Sequence, residues 1–538
     1  MARSNISPAK AVLLAVQLAG DINISALRIL ISQNRKPLRT EIVLRILLSH
    51  LPECVDPSEY VAFLQDLVDG NLADAEEPLL DASTLKDVGE IEASQKVKKL
   101  HLLPLAWPNA PADAPEDPLV RFLIHRSIRI DHNTGLIDQI PKLIGPFLQR
   151  SSDLRTWMIS TVLPLLRLSY EYYPGEEFNT TISDFELMDD KAGIALLLSA
   201  TGKSEVSNNS RDTSNDTVGR DLKGLVGPWM YGDNRLKRRK LRDNSNRNVQ
   251  TIHSHNEVPV THEKCASWEV VFKWMTIQAK TSWKTAVQVI DQWDGPGDVD
   301  LGGYEDNSEW LDEEDQQHLE RRYAQAAIAS AYLISEPTLE ALMGIHRILS
   351  RIVSLLELDS ITTLEADGNM LKSVDDLGDL LQAKNTAFLR NGHLDETNIL
   401  TTPNEASLKF LHALLISAYI FTKQGTGISI RKAAELALSQ QDFEQRAEFK
   451  RLLMVHNGRG PKADDRYWKR TRSEFLWLRN WVSNGPEDNA STDIGRGVFG
   501  KLSTEEVEIA LLKTFLTNNR EFPSVCEFQF FFVLMDQG

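Results

Sequence analysis

The segment Leu100–Pro174 reads LHLLPLAWP over residues 100–108, DPLVRFLIHRSIRIDHNTGLIDQIPKLIGPFL over 117–148 and LRTWMISTVLPLLRLSYEYYP over 154–174. Nine of the chain's 22 prolines lie in it, yet the apolar residues between them recur at helical spacing. Because proline disrupts hydrogen bonding inside a helix, this pattern predicts short helices that stop sharply and need neighbours to cover their apolar faces. The segment therefore predicts a scaffold of stacked helices rather than an active site.

The same pattern continues on both sides of this segment. Runs that would predict strands, with β-branched and polar residues in alternation, do not occur. The predicted fold class is all-α: an α-solenoid of irregular stacked helix pairs with a disordered insertion. Helices are predicted at Pro8–Ala19, Ile24–Ser32, Thr40–Leu51, Pro57–Val68, Thr180–Ser199, two after Ser267, and then Asp312–Leu333, Pro337–Leu356, Ser373–Arg390, Ala406–Thr422, Ser429–Gln440, Asp442–His456, Arg466–Val482 and Ser503–Thr517.

Composition divides the chain into four parts. Residues 1–200 and 263–520 carry the helical pattern and are predicted to be two parts of the solenoid. Residues 201–262 are predicted to be a flexible, partly disordered insertion, since the stretch SNNSRDTSNDT offers almost nothing apolar to bury. An apolar anchor is predicted within it, near Leu222–Trp229. Residues 521–538 form an atypical tail. It is expected to be either a buried final helix or the end of a truncated chain, and we slightly favour the second interpretation.

Charge and cysteine content restrict the function. The net charge of −17 argues against general nucleic-acid binding, which needs a basic surface. Three widely separated cysteines argue against a disulfide framework and for a reducing compartment. The apolar start of the chain is similar to a signal peptide, but Ser7 followed by Pro8 predicts the capped start of a packed helix.

Two clusters near the insertion invite functional readings. His253, His255, His262 and Cys265 offer four potential zinc ligands, but their spacing matches no usual zinc motif, and we favour a solvated loop. The basic run Arg235–Arg242 is typical of a nuclear-import signal or a contact with anionic lipid or nucleic acid. A solvated basic turn is the favoured interpretation of this run, and membrane-surface contact is the next.

Three further groups are interpreted as structural. The acidic residues of 294–315 lack the order of a calcium loop and predict a solvated helix start. Aromatic residues at helical spacing in 468–481 predict an inter-helix core rather than a ligand cleft. Two histidines beside apolar residues predict packing rather than base catalysis. The residues concerned are Asp294, Asp298, Asp300, Glu305, Asp306 and Asp312–Asp315; Trp468, Phe475, Trp477, Leu478 and Trp481; and His101 and His125.

Motifs of common enzymes do not occur. The chain has no phosphate-binding loop of the GxxxxGK[ST] type, no nucleophile elbow, no kinase signature and no HExxH. We therefore expect no enzyme activity and assign no catalytic, cofactor-binding or metal-binding residues. No cofactor and no small-molecule substrate are expected.

Several long stretches of the sequence, rather than a catalytic signature, resemble one family. Several stretches are similar to the Sec-thirty-nine domain of secretory-pathway tethering proteins, the NBAS-like family, and resemble a filamentous-fungal member. They are SPAKAVLLAVQLAGDINISALRIL, KKLHLLPLAWP, DPLVRFLIHRSIRID, LRTWMISTVLPLLRLSYEYYP, GPWMYGDNRLKRRKL, WEVVFKWM and DDRYWKRTRSEFLWLRNW. The resemblance spans about Ser7 to Thr517. Members are usually longer, and the tail from Glu521 departs from their pattern.

The resemblance implies a function that composition alone does not select. It implies a non-enzymatic α-solenoid subunit of the Dsl-type (NRZ-type) tethering complex, peripheral on the cytoplasmic face of the endoplasmic reticulum. There it would support SNARE-dependent docking of COPI-coated retrograde vesicles from the Golgi. The implied partners are other tether subunits and ER SNARE proteins. The alternative is a nuclear or nucleic-acid-associated helical-repeat protein that uses Arg235–Arg242.

The opening segment also leans basic, unlike the chain as a whole. From Leu119 to Tyr173 it has seven Arg or Lys against four Asp or Glu. This basic block is a candidate for contact with an acidic partner, although a solvated helix face is the favoured interpretation.

Overall fold

The computed structural model describes residues 6–72, 88–111, 114–202, 217–232, 263–306, 311–374, 377–459, 465–482 and 495–518. Over these residues the regular secondary structure is helical and contains no strand, which confirms the all-α prediction of stacked helices. The chain divides into two compact units. The first comprises residues 1–208, 220–267 and 298–312, and the second comprises 209–219, 268–297 and 313–538.

The first unit begins with helices whose ends follow directly from the sequence. Ser7 accepts a hydrogen bond from the Lys10 amide, and Pro8 occupies the first helical turn, so the predicted cap is confirmed. Gly70 and Gly135 end their helices at φ 72° and 68°, where a side chain would be strained. The helices are α1 (Pro8–Gly20), α2 (Ile24–Gln33), α3 (Thr40–His50), α4 (Val61–Asp69), α5 (Glu90–Lys98), α6 (Pro118–Thr134) and α7 (Ile140–Ile144).

Helix α1 packs against α2, α3 and α5, and α3 packs against α6. The apolar stripes predicted for these helices form this core. Leu14, Leu27, Leu44 and Leu47 are all essentially buried there. Burying a large aliphatic side chain contributes about 1.5–3 kcal/mol. This packing stabilises short helices that would not persist as isolated segments.

The prediction that each proline ends a helix is wrong at Pro164. This residue lies inside α8, a continuous helical segment built from Ser152–Trp157, Met158–Val162, Leu163–Leu166 and Arg167–Tyr172. The second and fourth of these stretches are π-helical. A π turn is wider than an α turn, so the irregular backbone on both sides of Pro164 accommodates a ring that would break a regular helix.

The apolar anchor predicted near Leu222–Trp229 is present. After α9 (Ile182–Leu187) and α10 (Asp190–Leu197), α11 runs through Thr217–Asp221, the π-helical Leu222–Val226 and Gly227–Met230. Leu222, Leu225 and Trp229 are buried. Residues 203–216 and 233–262, on which the predicted disorder rests, lie outside the described residues, as does the tail 521–538.

The second unit is a series of longer helices. Helix α12 packs on α14, α13 on α15, α15 on α17, and α17 on α18, so that successive helices cover one another's apolar faces. They are α12 (Trp268–Thr281), α13 (Trp283–Gln292), α14 (Glu313–Leu333), α15 (Leu339–Leu355), α16 (Leu364–Met370), α17 (Glu405–Lys423), α18 (Ile430–Leu438), α19 (Asp442–Arg459), α20 (Asp465–Arg479) and α21 (Thr504–Asn518).

Two predictions in the second unit need correction. The helix predicted at Ser373–Arg390 is reduced to a 3-10 segment, Ala383–Leu389, that follows turns. Helix α16 was not predicted, because its sequence LEADGNM is short and lacks apolar periodicity. Among the described residues, no helix has the length and hydropathy needed to cross a membrane.

Candidate functional site

The basic block of Leu119–Tyr173 is occupied by contacts within its own unit. Arg126 is fully buried and donates to the carbonyl oxygens of Leu51 and Pro52 over 2.7 and 2.5 Å. Its guanidinium also lies 5.8 Å from the centre of the Tyr60 ring. A planar guanidinium with several donors can bridge carbonyls in this way, so the residue joins α6 to the end of α3.

Other cations of the block have partners of the same kind. Arg167, 7% exposed, donates to the carbonyls of Gly224 and Asp300 and pairs with the Asp300 carboxylate at 2.9 Å. Arg155 pairs with Asp306. The remaining pairs are Arg129 with Glu53, Lys142 with Asp56 and Arg150 with Asp117. Six of the seven basic side chains therefore have partners within the first unit, which weakens the block as a docking surface. The interpretation as a solvated face is wrong for the buried Arg126, Arg155 and Arg167, whereas Lys142 and Arg150 are exposed.

The acidic residues of 294–315 are also distributed among internal partners. Asp298 pairs with Lys223 at 2.7 Å, and Asp294 pairs with Arg351. Glu313 and Glu314 are exposed in the first turn of α14, as predicted, and the helix dipole stabilises carboxylates at this end. Asp315 is the exception, because it is buried.

The aromatic residues of α20 and its end form core, as predicted. Trp468, Phe475, Leu478 and Trp481 are all buried. Trp477 donates from Nε1 to the Lys372 carbonyl over 3.0 Å. No ligand cleft separates these rings: Phe475 packs on Phe449 with ring centres 5.8 Å apart.

The histidine predictions have different outcomes. His125 is half-buried and its Nδ1 lies 3.1 Å from the Pro104 carbonyl oxygen; burial lowers its pKa. His101 is exposed, so the packing role predicted for it is wrong. Cys265 is buried, while His253, His255, His262 and the basic run Arg235–Arg242 lie outside the described residues.

A polar groove of about 520 Å³ lies in the second unit. Its walls come from residues 378–383, 437–445 and 495–501. Gln382 and Gln445 line it, with Arg496 and Lys501 as its charged groups. Among the described residues, none that lines the groove carries a carboxylate, so these residues offer hydrogen-bond donors and positive charge but no acid–base pair.

A second cluster joins three helices that the sequence did not connect. His346 comes from α15, Asp367 from α16 and His412 from α17, and one ligand atom of each lies within 4.8 Å of the other two. Asp367 Oδ2 lies 3.1 Å from His412 Nε2 and 3.8 Å from His346 Nε2. We refer to these three residues as the His–Asp–His cluster.

The surroundings of the cluster hold its members in place. Thr362 donates its hydroxyl to Asp367 Oδ1, leaving Oδ2 toward the histidines. Gly368 lets α16 lie close to α17, because a Cβ there would fall 2.6 Å from Tyr419. Burial lowers the pKa of both His346 and His412, although Asp367 opposes that shift. Neutral imidazoles are therefore favoured, and a neutral imidazole can accept a proton or ligate a metal.

Sequence reasoning missed this cluster because no spacing announces it. His412 and Asp367 are 45 residues apart. The two histidines lie in helices rich in apolar residues, where a histidine is usually interpreted as packing. Only the unpredicted helix α16 brings the carboxylate between them.

Comparison with known proteins agrees with the resemblance. The family profile of secretory pathway protein Sec39 matches residues 12–530, nearly the whole chain. No curated protein matches the sequence. The matched range includes most of α1, the later helices of both units and all but the first residues of the segments that carry the resemblance. On this evidence the chain belongs to the Sec39 family of secretory pathway proteins.

Proposed function

We propose that this chain is a non-enzymatic scaffold subunit of an ER tethering complex that supports SNARE-dependent docking of COPI-coated retrograde vesicles. The observation that carries the proposal is the family match over residues 12–530. A role in the secretory pathway follows from the family. The tethering step, the partners and the peripheral position on the cytoplasmic face of the ER are the proposed refinement.

The structure supports a scaffold through the use it makes of its charges. Arg126, Arg167 and Glu474 are buried, and each binds groups within its own unit. Such contacts stabilise a rigid helical surface, which suits a protein that positions partners.

Helix α19 offers a specific surface to test. Phe443 and Met454 are 61% and 74% exposed, and a spacing of eleven residues, about three turns, places them on one face. Exposed aromatic and methionine side chains are enriched at protein interfaces. We propose that this face contacts another tether subunit.

Co-purification tests the proposal. A tagged chain isolated from native extract is expected to recover other tether subunits and ER SNARE proteins, and recovery of neither would refute the tethering role. A Phe443→Ser/Met454→Ser variant is expected to lose at least one of these proteins. Ile91→Ser, which removes an exposed apolar side chain from α5, serves as the matched control and should retain them all. Imaging a variant with Arg235–Arg242 changed to alanine tests the nuclear alternative, which requires loss of nuclear signal.

A further inference from the structure

We infer that the His–Asp–His cluster is a binding site for one divalent transition-metal ion, with zinc as the ion to test. The three ligand atoms are His346 Nε2, His412 Nε2 and Asp367 Oδ2. Two imidazole nitrogens and one carboxylate oxygen form a ligand set that binds zinc or iron(II) and leaves room for water. Neither the family match nor the tethering role assigns this site.

The spacing of the ligand atoms fits a metal after small movements. Zinc–ligand bonds of about 2.0–2.1 Å in tetrahedral geometry place ligand atoms about 3.3 Å apart. Two of the pairs here are 3.1 and 3.8 Å apart, and the third is within 4.8 Å. Bringing the widest pair from 4.8 Å or less to about 3.3 Å needs a movement of no more than about 1.5 Å, shared between two side chains.

One ligand atom has a hydrogen-bonding need that the surrounding protein leaves unmet. His346 Nε2 is buried and has no hydrogen-bond partner among the described residues, and its 3.8 Å separation from Asp367 is too long for one. The Thr362 backbone also acts on the His346 ring and opposes the lowering of its pKa by burial. A neutral imidazole that carries its proton on Nδ1 presents the Nε2 lone pair, and zinc-ligating histidines usually donate the other ring N–H to a carboxylate, carbonyl or water.

The carboxylate has a matching second contact. Asp367 is 4% exposed, and the Thr362 hydroxyl occupies its Oδ1. The Thr362 hydroxyl therefore orients one ligand, Asp367, while the backbone of the same residue acts electrostatically on a second, His346. Hydrogen bonds of this kind fix the direction of metal ligands and raise metal affinity about 10–100-fold.

The charges facing the cluster are unequal. Asp367 attracts a cation, and Lys372 opposes one because it acts electrostatically on His412. Lys372 is exposed, so its ammonium can turn toward solvent when a metal binds. The site is accessible on the side of His412, whose side chain is 21% exposed.

A bound ion would link α15, α16 and α17. Because the chain binds the ion only when these helices are packed, binding stabilises the folded second unit by mass action. The proposed role is therefore structural: the metal fastens the short helix α16, which has little apolar surface of its own, to two long neighbours.

Zinc titration of the chelator-treated full chain tests the inference. We expect saturable binding of one equivalent by calorimetry, together with a higher Tm. Cobalt(II) should give the visible absorption bands of a four-coordinate site. Asp367→Asn and His412→Gln are each expected to abolish binding while far-ultraviolet circular dichroism remains unchanged. Thr362→Val should weaken binding about 10-fold or more, and Lys372→Gln should strengthen it.

A second set of variants excludes the histidines of 253–262. His253→Ala/His255→Ala/His262→Ala is expected to leave the stoichiometry and Tm shift unchanged. The inference is overturned if the triple variant abolishes binding, if Asp367→Asn retains it, or if the unaltered chain binds no zinc or cobalt. In that last case the cluster is a hydrogen-bonded His412–Asp367 pair with His346 beside it and no metal.

Discussion

The basic block of the first unit and the His–Asp–His cluster of the second unit treat buried polar groups in opposite ways. Arg126 and Arg167 each donate to two backbone carbonyls of the first unit, although Arg126 Nε is buried without a hydrogen-bond partner among the described residues. Asp367 is equally buried, yet it faces two imidazoles whose pKa burial lowers, and one of their nitrogens has no hydrogen bond among the described residues.

This difference separates structural from functional polarity. The basic block is conspicuous in the sequence, but six of its seven cations bind acceptors within the first unit. The cluster is inconspicuous in the sequence, but the packed helices leave it able to accept a ligand. A buried cation that binds several acceptors of its own unit stabilises one fold, whereas a carboxylate grouped with two imidazoles presents a set of metal-ligand atoms.

The largest expected effect is in the basic block. Arg126→Ala leaves the carbonyls of Leu51 and Pro52 without their donors and creates a cavity, so we expect the first unit to lose about 3 kcal/mol of unfolding free energy. Urea unfolding measures the change. Arg150→Ala removes a surface pair with Asp117 and is expected to cost no more than about 1 kcal/mol. Equal losses in the two variants would contradict the distinction between buried and exposed cations.

The second-largest expected effect is that acidification destabilises the second unit more than the first. In the second unit burial lowers the pKa of His346, His393, His412 and His456, and in the first unit that of His50 and His125. A histidine with a lowered folded pKa binds fewer protons when folded. The stability it contributes is complete above the unfolded pKa of about 6.5 and is lost as the pH falls toward the folded pKa.

We therefore expect a shift from about pH 7.5 to about pH 5.5 to increase amide exchange in α15–α19 more than in α1–α6. Hydrogen exchange with mass spectrometry, corrected for the intrinsic pH dependence of exchange, measures both regions in one sample. His412→Gln should reduce the pH response around α16 and α17. A larger response in α1–α6 would show that other groups dominate.

The smallest expected effect is at Asp367 when no metal is present. Asp367→Asn keeps the shape of the side chain and removes a charge that forms no close ion pair with a Lys or Arg of the described residues. The unfolding free energy in chelator should therefore change by less than about 1 kcal/mol.

Glu474→Gln is the matched comparison for that variant. Glu474 is 1% exposed and pairs with Lys423 at 2.5 Å and Arg470 at 3.1 Å. Removing its charge is expected to cost about 2 kcal/mol, because both cations lose their counterion but can reach solvent. Chemical unfolding measures the loss of unfolding free energy in both variants. A larger loss for Asp367→Asn would show that the hydrogen bonds of the cluster already stabilise the fold without a metal.

The helices were predictable where local rules and burial agree. Ser7 and Pro8 predicted the start of α1, and the stripe of Ala406–Thr422 predicted α17 to within one residue at each end. Pro164 misled the prediction because π turns, which no simple periodicity reports, accommodate it in α8. Helix α16 escaped because tertiary contacts with α17, rather than its own propensity, stabilise it.

The sequence by itself determined the fold class and the family, because apolar spacing, caps and extended family wording are local properties of the chain. Only the tertiary structure decided which charges are used internally and which remain able to bind. Arg126 donates to Leu51 at the end of α3, and Asp367 contacts His412 of α17, so each contacts a helix that is distant along the chain. Hydrogen bonding and desolvation depend on those surroundings, and no local pattern specifies them.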